Sequence, residues 1–288
     1  MSLFSQAIIS GLMSGALYTL LGVGLVLVYR TARVLNLAHG ETFAITGTVA
    51  ALLTSKGVPL FFSITIAVLT AVAFSTALHR FILRPRTDWP ASTLILVTLG
   101  AAFVARGVMF LLVGSDPVSF PTAINAPPLR IAGGIIPVQG LVLIVLGFGV
   151  SIAVALFLTR TRLGKQMLAT SENPFAAELL GVDIEKARLI AYAIGGLLGA
   201  LVGVLLIPLI AVDFQSGLAM TMRGFIAAAI AGMSPVGVLA SGLGLGIFES
   251  MIGAYFGALL QDPVIFGVLM AVALWQSRKI RFGGGKRA

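Results

Sequence analysis

Long apolar runs recur from one end of the chain to the other, and they limit the possible folds more than any other feature. Of the 288 residues, 58% are hydrophobic and only 10% are charged, and the mean hydropathy is +1.07. A helix needs about 20 apolar residues to cross a hydrocarbon core of about 30 Å, and these runs lack the alternating pattern of a barrel strand. The sequence therefore predicts an all-α fold, a polytopic integral membrane helical bundle.

The apolar runs predict about eight transmembrane helices, some of them broken or re-entrant. The first run, residues 7–29, is too long for the apolar region of a signal peptide and is expected to remain in the mature chain. After Arg223 the number of crossings stays open, because the last apolar run is short of a full crossing. The six spans before that point are predicted at 7–29, 36–54, 59–79, 91–113, 138–158 and 189–211.

Basic residues cluster in four segments, and these clusters predict the orientation of the spans. Of the nineteen Lys and Arg residues, two lie at 30–33, three at 80–86, five at 160–188 and five in a basic tail at 278–288. Cytoplasmic loops carry an excess of such residues, so the four segments are expected inside and the N-terminus outside. Segments 114–137 and 213–221 are then predicted as outer loops. The net charge of +9 is interpreted as a topology signal, and no nucleic-acid partner is expected.

Two interruptions break the apolar sequence. In NLAHGE, residues 36–41, Asn36 could cap a helix, Gly40 could adopt an unusual torsion and Glu41 would start the next helix. In GMSPVG, residues 232–237, glycine and proline interrupt helical hydrogen bonding. Transporters often build a substrate pathway from two matched breaks, although a purely structural role is the alternative. The candidate pathway residues are Asn36, His39, Glu41, Gly232, Met233 and Ser234.

Ionisable residues inside apolar runs normally face a cavity or a partner, because their burial is costly. A metal site at His39 and Glu41 is not expected, since no cysteine or second histidine lies nearby. Arg106 is expected to extend its charge to the outer interface, with a carboxylate such as Glu249 as the alternative partner. A rival function for the chain is a proton-coupled carrier or channel, in which His39, Glu41 and Glu249 relay protons.

The longest polar stretch, residues 159–188, contains the start and stop signals of a short helix. Asn173 can cap this helix, Pro174 fits its first position, and Gly181 suits the left-handed position after its last turn. Asp183 is a second start signal and leads directly into the next span. The stretch is therefore predicted to be a short loop that is tied closely to the bundle.

The predicted loop helix carries an apolar ridge. Phe175 and Leu179 form one apolar pair at i,i+4 spacing. Ala176 and Leu180 form a second pair, while Glu178 faces elsewhere. A helix of two turns is marginal in water by itself, so the ridge must pack against something. The two alternatives are the chain's own helix ends and a groove on a separate cytoplasmic protein.

Several kinds of chemistry are excluded by the absence of residues or motifs. The chain has no cysteine, which excludes disulfides, thiolate metal sites and thiol catalysis. It also has no Walker-type glycine loop with Lys and Ser or Thr, so ATP would have to be hydrolysed by another chain. The chain is therefore expected to be a transport subunit, not an enzyme, and no cofactor is expected.

The motifs together resemble the permeases of branched-chain amino acid ABC importers. The matching segments are NLAHGE at 36–41, TLG at 98–100, GSDP at 114–117, SENPFAAELLGVDIEKAR at 171–188 and GLGLGIFES at 242–250. They cover nearly the whole length, so residues 1–288 are expected to form a single transmembrane permease domain with a coupling loop at 159–188. One departure is Leu168-Ala169-Thr170, where members of the family usually carry an Arg-Ala pair.

The resemblance implies a multi-subunit, ATP-driven uptake system in the bacterial inner (plasma) membrane. In that family two related permease chains pair, two ATP-binding cassette ATPase subunits dock on the cytoplasmic face, and an extracytoplasmic solute-binding protein delivers the substrate. The chain would then translocate branched-chain amino acids, or related small amides and organic acids, inward by alternating access. The coupling helix on the ATPase would comprise Asn173, Pro174, Phe175, Ala176, Glu178, Leu179, Leu180 and Gly181.

Overall fold

The computed structural model describes residues 2–86, 89–122, 124, 126–131 and 133–283, so the basic tail predicted at 278–288 lies outside the described residues from 284 onward. Within them the chain is a helical bundle with one small β-hairpin, which confirms the predicted fold class. The helices are α1 (Ser2–Ala32), α2 (Glu41–Ser55), α3 (Leu60–Ala77), α4 (Ala91–Val113), α5 (Val138–Arg160), α6 (Arg162–Glu172), α7 (Pro174–Leu179), α8 (Ile184–Leu206), α9 (Ser216–Ile230), α10 (Gly237–Phe256) and α11 (Gln261–Gly283), and the hairpin strands are β1 (Leu129–Ile131) and β2 (Gly134–Ile136).

Helix α1 forms the centre of the bundle and packs against α5, α8, α9 and α10. Its longest contact is with α10, and glycines allow the two backbones to approach closely. A Cβ atom on Gly15 would lie 2.9 Å from the Cα of Leu243, and one on Gly11 would lie 2.6 Å from the Cα of Ile247. Small residues let membrane helices pack at short distance, so the glycine-rich composition serves this tight packing.

Six helices among the described residues are long and apolar enough to cross a membrane. They are Leu3–Ala32, Leu60–Arg86, Ala91–Val113, Val138–Arg160, Ile184–Leu206 and Gly237–Phe256. Helices α2 and α9 have 15 residues each, and at 1.5 Å per residue they rise about 22 Å, which is less than the hydrocarbon thickness. Short or broken elements are thus present as predicted, while the total of about eight spans stays a prediction.

The span predicted at 189–211 lies five residues too late, because the Asp183 cap starts α8 at Ile184 and the helix ends at Leu206. Two other predicted boundaries are also wrong. The span predicted at 36–54 does not begin as a helix, because residues 34–40 are extended or in a turn and α2 starts only at Glu41. The outer loop predicted at 213–221 is also too long, because α9 starts at Ser216. In both cases a helix begins inside the bundle, where contacts with other helices replace the polar cap that marks a helix start in sequence.

The outer end of α1 is fixed by the β-hairpin. Gln6 accepts a 2.8 Å hydrogen bond from the backbone N–H of Ile135 and donates a 3.1 Å bond to its carbonyl. Val118 and Val212 exchange two backbone hydrogen bonds of 2.8 and 2.9 Å, which connect the loops before the hairpin and before α9. These backbone pairs hold the connecting segments that lead into α9.

Candidate translocation site and coupling helix

The segment between α1 and α2 enters the bundle as a polar turn. The side-chain oxygen of Asn36 accepts a 3.0 Å hydrogen bond from the N–H of Ala38, so it caps the turn at residues 37–40 and not helix α2 itself. The N–H of Leu37 donates to Thr98 Oγ1 of α4 at 3.1 Å. Side-chain oxygens therefore accept hydrogen bonds from buried backbone N–H groups that have no helical partner. Irregular backbone inside a membrane protein needs such partners, because no water is available there.

Gly40 lies where this turn meets the start of α9. Its N–H donates a 2.8 Å hydrogen bond to Thr221 Oγ1. Its φ of −71° is ordinary for any residue, so the unusual torsion predicted from sequence is wrong. Glycine is needed for a different reason: a Cβ atom would collide with the carbonyl oxygen of Gly217 and with the hydroxyl of Thr221.

Glu41 forms a buried ion pair with Arg106 of α4. The Nη2 and Nε atoms of Arg106 donate to Glu41 Oε1 at 2.7 and 2.9 Å. The side chain of Glu41 is 0% exposed and that of Arg106 is 12% exposed. The prediction that Arg106 extends to the interface is therefore wrong. The alternative, pairing with a carboxylate, is confirmed, but the partner is Glu41 and not Glu249. The carboxylate also lies at the first turn of α2, where the positive end of the helix dipole favours it.

Two helix N-termini converge on this carboxylate. The Oε2 atom of Glu41 lies against Gly217 of α9, where any Cβ atom would collide with the carboxyl group. Helices α2 and α9 thus both begin at one point inside the bundle. Transporters often place such half-helix starts at their substrate sites. This pair of starts differs from the predicted pair of breaks, because the second start belongs to α9 and not to the segment at 232–237.

His39 packs between α1 and α8, in a space that is open because Gly24 and Gly195 have no side chains. It is 1% exposed, and a Cβ atom on Gly24 of α1 would lie 2.7 Å from its Nε2. A Cβ atom on Gly195 of α8 would lie 3.5 Å from its Cε1. No hydrogen bond or ion pair joins His39 to Glu41 in the described part of the chain. The geometry gives His39 a packing role, and contact with solute remains a prediction.

Gly232, Met233 and Ser234 form the break that was predicted between two helices. Gly232 and Met233 have φ values of +60° and +56°, and their N–H groups bond back to the carbonyls of Ala229 and Ala228 at 3.0 and 2.8 Å. This is the left-handed ending typical of helices. Ser234 Oγ then accepts a 3.3 Å bond from the N–H at the start of α10.

This second break does not lie with the first. The carbonyl of Met233 accepts a 2.9 Å hydrogen bond from Arg30 Nε, near the C-terminal end of α1. Helix α9 separates Met233 from Gly217 and Glu41 by about 22 Å along its axis. The structure therefore brings Asn36, His39 and Glu41 to one place and puts Gly232, Met233 and Ser234 at the other end of α9.

Glu249 belongs to a separate cluster. It accepts a hydrogen bond from Tyr18 of α1 and a 3.1 Å bond from Arg223 Nε of α9. Arg223 also pairs with Asp262 at 2.7 Å. Among the described residues, no hydrogen bond connects this cluster with Glu41. The three groups that a proton relay would use are not joined in one network.

The loop predicted at 159–188 contains a helix that was not predicted from the sequence. Helix α6 starts at a cap in which Thr161 Oγ1 accepts a 3.0 Å bond from the N–H of Gly164. Met167 is 1% exposed and packs with Leu158 and Leu27, so α6 covers the C-terminal ends of α1 and α5. The loop is consequently two helices and not one.

Helix α7 has the caps that the sequence predicts. Asn173 Oδ1 accepts a 3.0 Å bond from the N–H of Ala176, Pro174 occupies the first position, and Gly181 has a φ of +79°. Only Ala177 is buried among the helix residues, so it anchors the helix to the rest of the chain. The predicted short helix is therefore present with the predicted start.

The apolar ridge of α7 is exposed. Phe175, Leu179 and Leu180 are 70%, 73% and 84% exposed, respectively. Ala176 is partly buried, and Glu178 and Gly181 are exposed. Of the two predicted alternatives, packing on the chain's own helix ends is not what the structure shows. The ridge is free to contact a separate protein.

The first turn of α8 follows this ridge directly. Asp183 Oδ1 accepts a 3.0 Å hydrogen bond from the N–H of Lys186, whose ammonium also lies 3.0 Å from Asp183 Oδ2. The backbone bond first, and then the lysine side chain, lower the pKa of Asp183 below its usual value. Asp183 is thus a charged cap that starts α8 three residues after Leu180.

Thr98, Arg106, Gly217 and Thr221 complete the first site and were not predicted as its members. One signal was available, because Glu41 and Arg106 are the only charged residues in the helices α2 and α4, respectively, and have opposite signs. No local pattern identifies Thr221, since its contact with Gly40 joins residues 181 positions apart.

These features define the class of the protein: it is a multi-pass helical membrane protein with the interrupted helices of a transporter. The family model described as branched-chain amino acid transport system / permease component matches residues 7–274. The chain belongs to this family, which confirms the resemblance predicted from its motifs. The predicted location, multi-pass in the inner (plasma) membrane, is confirmed as well.

Individual relatives extend this comparison over nearly the whole chain. The chain is 26% identical to the high-affinity branched-chain amino acid transport system permease protein LivH of Salmonella typhimurium, over 94% of this chain and 93% of that protein. It is 30% identical to the probable branched-chain amino acid transport permease protein LivH of Methanocaldococcus jannaschii, over 90% and 86%. It is 28% identical to the autoinducer 2 import system permease protein LsrC of Enterobacter sp., over 91% and 72%.

A solved structure shares the fold. PsaBC from Streptococcus pneumoniae, in complex with a Fab, superposes with a TM-score of 0.52 over 93% of this chain and 90% of that chain. The sequence identity is 15%, so the similarity concerns the arrangement of helices alone.

Proposed function

We propose that the chain is the membrane-spanning subunit of an ATP-binding cassette importer and moves branched-chain amino acids, or related small amides and organic acids, inward by alternating access. Its family and the names of its relatives support this proposal. Other chains complete the importer: two ATPase subunits, a second permease that is a paralogue or a copy, and an extracytoplasmic solute-binding protein.

The observation that carries the proposal is the exposed ridge of Phe175, Leu179 and Leu180 on α7. A capped helix on the cytoplasmic side, with three large apolar side chains turned outward, fits the insertion of a helix into a groove on another protein. Because α7 lies between α6 and α8, movement of its partner would be passed to α8 through the Asp183 cap. The ridge would thus link ATP hydrolysis in the partner to the bundle.

The substrate pathway is proposed to pass the point where α2 and α9 begin. Asn36, His39 and Glu41 would act there. Gly232, Met233 and Ser234 would act at the cytoplasmic end of the same route, one length of α9 away. Two short helices that start at a shared ion pair are suited to alternating access, since small shifts of either helix change the same contact.

The test is uptake of labelled leucine into proteoliposomes that hold the chain with its ATPase and permease partners. Uptake is expected only with ATP and binding protein. Phe175→Asp and Leu179→Asp should each weaken ATPase association roughly 10- to 150-fold, because burial of such a side chain is worth about 1.5–3 kcal/mol. Phe175→Leu and Glu178→Gln are the matched controls, which keep the ridge and should keep uptake.

Two outcomes would contradict the proposal. The coupling role fails if both aspartate variants assemble and transport as the parent does. The importer assignment fails if the chain alone, without ATPase subunits, takes up solute along an ion gradient, which is the behaviour of the proton-coupled alternative. Glu41→Gln is informative in that case, since a carrier that uses this carboxylate would lose its proton dependence.

A further inference from the structure

An open groove lies between α3 and α8 near their cytoplasmic ends. Ser75 Oγ donates a 2.7 Å hydrogen bond to the carbonyl of Tyr192, and a Cβ atom on Gly196 would lie 2.7 Å from the Cβ of Ser75, so the helices touch closely at this level. Toward the cytoplasm a cavity of about 620 Å³ remains between them. Its size falls in the range of small-ligand sites.

The groove is mostly apolar and lies on the outer surface of the helical bundle. Three of its lining residues are alanines at positions 73, 77 and 193, and the large ones are Phe81, Leu189 and Ile190. Phe81 is 72% exposed, and Leu189 and Ile190 are each 37% exposed. Small residues therefore leave space between larger apolar side chains, at a depth where the hydrocarbon of the membrane meets its cytoplasmic interface.

A polar cleft of about 230 Å³ adjoins the groove at its cytoplasmic end. Arg80, Arg84 and Lys186 line it together with Asp183 and Glu185. Both carboxylates are already engaged: Glu185 lies 2.9 Å from Arg84, and Asp183 lies 3.0 Å from Lys186.

The cleft keeps an excess of positive charge. Three cations that line the cleft, Arg80, Arg84 and Lys186, face two carboxylates, and one of these, Glu185, also accepts a 3.2 Å hydrogen bond from Arg188. His79 lines the cleft too, with its Nε2 3.8 Å from Glu185. Arg80 is exposed and forms no ion pair within the described part of the chain. It is the cation most free to bind an anion.

Helix geometry turns Arg80 toward this junction. Residues Leu78–Leu83 form a π-helical turn in which His79 is buried and stacks on Tyr192 at 4.9 Å, while Arg80 and Phe81 are exposed. Turns of π-helix are rare in proteins, but those that occur often lie at functional sites. The turn thus presents one cation and one aromatic ring side by side on the membrane-facing surface.

Arg80 and Leu189 line both the cleft and the groove, so the two are continuous. A lipid-facing apolar groove that ends in a positive cleft at the cytoplasmic interface complements a phosphate group attached to an acyl chain. We propose that this is a binding site for one anionic phospholipid of the cytoplasmic leaflet, with its phosphate at Arg80 and an acyl chain along Ala77 and Ala193.

The first test measures lipid retention by native mass spectrometry. The full-length chain, purified in mild detergent, is mixed with phosphatidylglycerol or phosphatidylcholine. One phosphatidylglycerol should be retained in preference to phosphatidylcholine. Arg80→Gln should reduce its retention about fivefold, since one basic side chain near an anionic headgroup is worth about 1 kcal/mol. Arg80→Lys should restore it, and Arg162→Gln, which removes an exposed arginine on α6, should have no effect.

A second set of measurements distinguishes binding of a phospholipid from binding of a free anion. Ala193→Phe fills the groove but keeps every charge, and it should abolish phosphatidylglycerol retention. Inorganic phosphate should not displace the lipid. Equal retention of both lipids, or displacement by phosphate together with normal retention by Ala193→Phe, would overturn the proposal.

A cross-linking experiment keeps the proposal testable in native membranes, where purification is not needed. Phe81→benzoylphenylalanine should yield a phospholipid adduct after illumination, and Arg80→Gln in the same chain should reduce that adduct. A protein–protein adduct in place of the lipid would mean that a second copy or another subunit covers the groove, and it would refute the lipid site.

Discussion

The ion pair between Glu41 and Arg106 allows a quantitative test of the site. Glu41 is 0% and Arg106 is 12% exposed, so removal of one partner leaves the other charge without water to replace it. Breaking a buried pair in this way typically costs about 3–5 kcal/mol, and a protein's whole stability is about 5–15 kcal/mol. Glu41→Gln and Arg106→Gln should each lower the melting temperature by roughly 6–20 °C.

The double variant Glu41→Leu/Arg106→Met should behave differently. Apolar side chains of similar volume can replace a buried ion pair at no cost, or with a gain of about 1–4 kcal/mol. The double variant should therefore melt near or above the parent, and the coupling energy between the two positions should be several kcal/mol. Thermal unfolding of the detergent-solubilised protein, followed by near-UV circular dichroism, measures all four members of the cycle.

Two results would refute this reasoning. Single variants that melt within about 2 °C of the parent would show that neither charge is buried and paired. A double variant that loses the sum of the two single losses would show that the positions are independent. The double variant also tests the pathway. If it melts normally but has lost uptake, the ion pair acts in transport. If it keeps normal uptake, the ion pair has a structural role.

Three further substitutions test other contacts, each by melting temperature and by yield of monodisperse protein. Gly40→Ala should cost about 1–3 kcal/mol because its Cβ overlaps α9, whereas Gly100→Ala, with open space around it, should be tolerated. Asn173→Ala should cost about 1 kcal/mol by removing the cap of α7, and Asn173→Ser should retain most of it. Tyr18→Phe should cost about 1–3 kcal/mol, since the buried Glu249 loses a donor. Unchanged melting in any of the three would contradict the contact concerned.

The predictions that succeeded from sequence rest on local signals. The spans at 59–79, 91–113 and 138–158 were predicted within two residues at both ends, because hydropathy over about 20 residues measures the cost of exposing backbone to lipid. The start of α7 was predicted because Asn173 and Pro174 act within one turn of chain. What the apolar ridge of α7 packs against was left open, because its exposure depends on which surfaces the rest of the chain covers.

The predictions that failed concern contacts between distant segments. The role of Gly40 depends on Gly217 and Thr221, and neither residue has a pattern that points to residue 40. Arg106 pairs with Glu41 and not with Glu249, the example named from sequence, because both acidic residues in apolar runs are opposite to it in charge and sequence does not distinguish them. Helix α6 was missed because most of its residues are polar, and Met167 is its only buried large apolar residue.

The central position of α1 has a consequence for how the protein is made. Helix α1 leaves the ribosome well before α10, yet its most extensive contact, through Gly11 and Gly15, is with α10, which is synthesised more than 200 residues later. During synthesis its glycine-lined face has no partner, and closing such a distant contact is slow. We expect α1 to remain in contact with the insertion machinery or a chaperone until α10 enters the membrane. Chains that stop before α10 should then be recognised as unfinished and degraded.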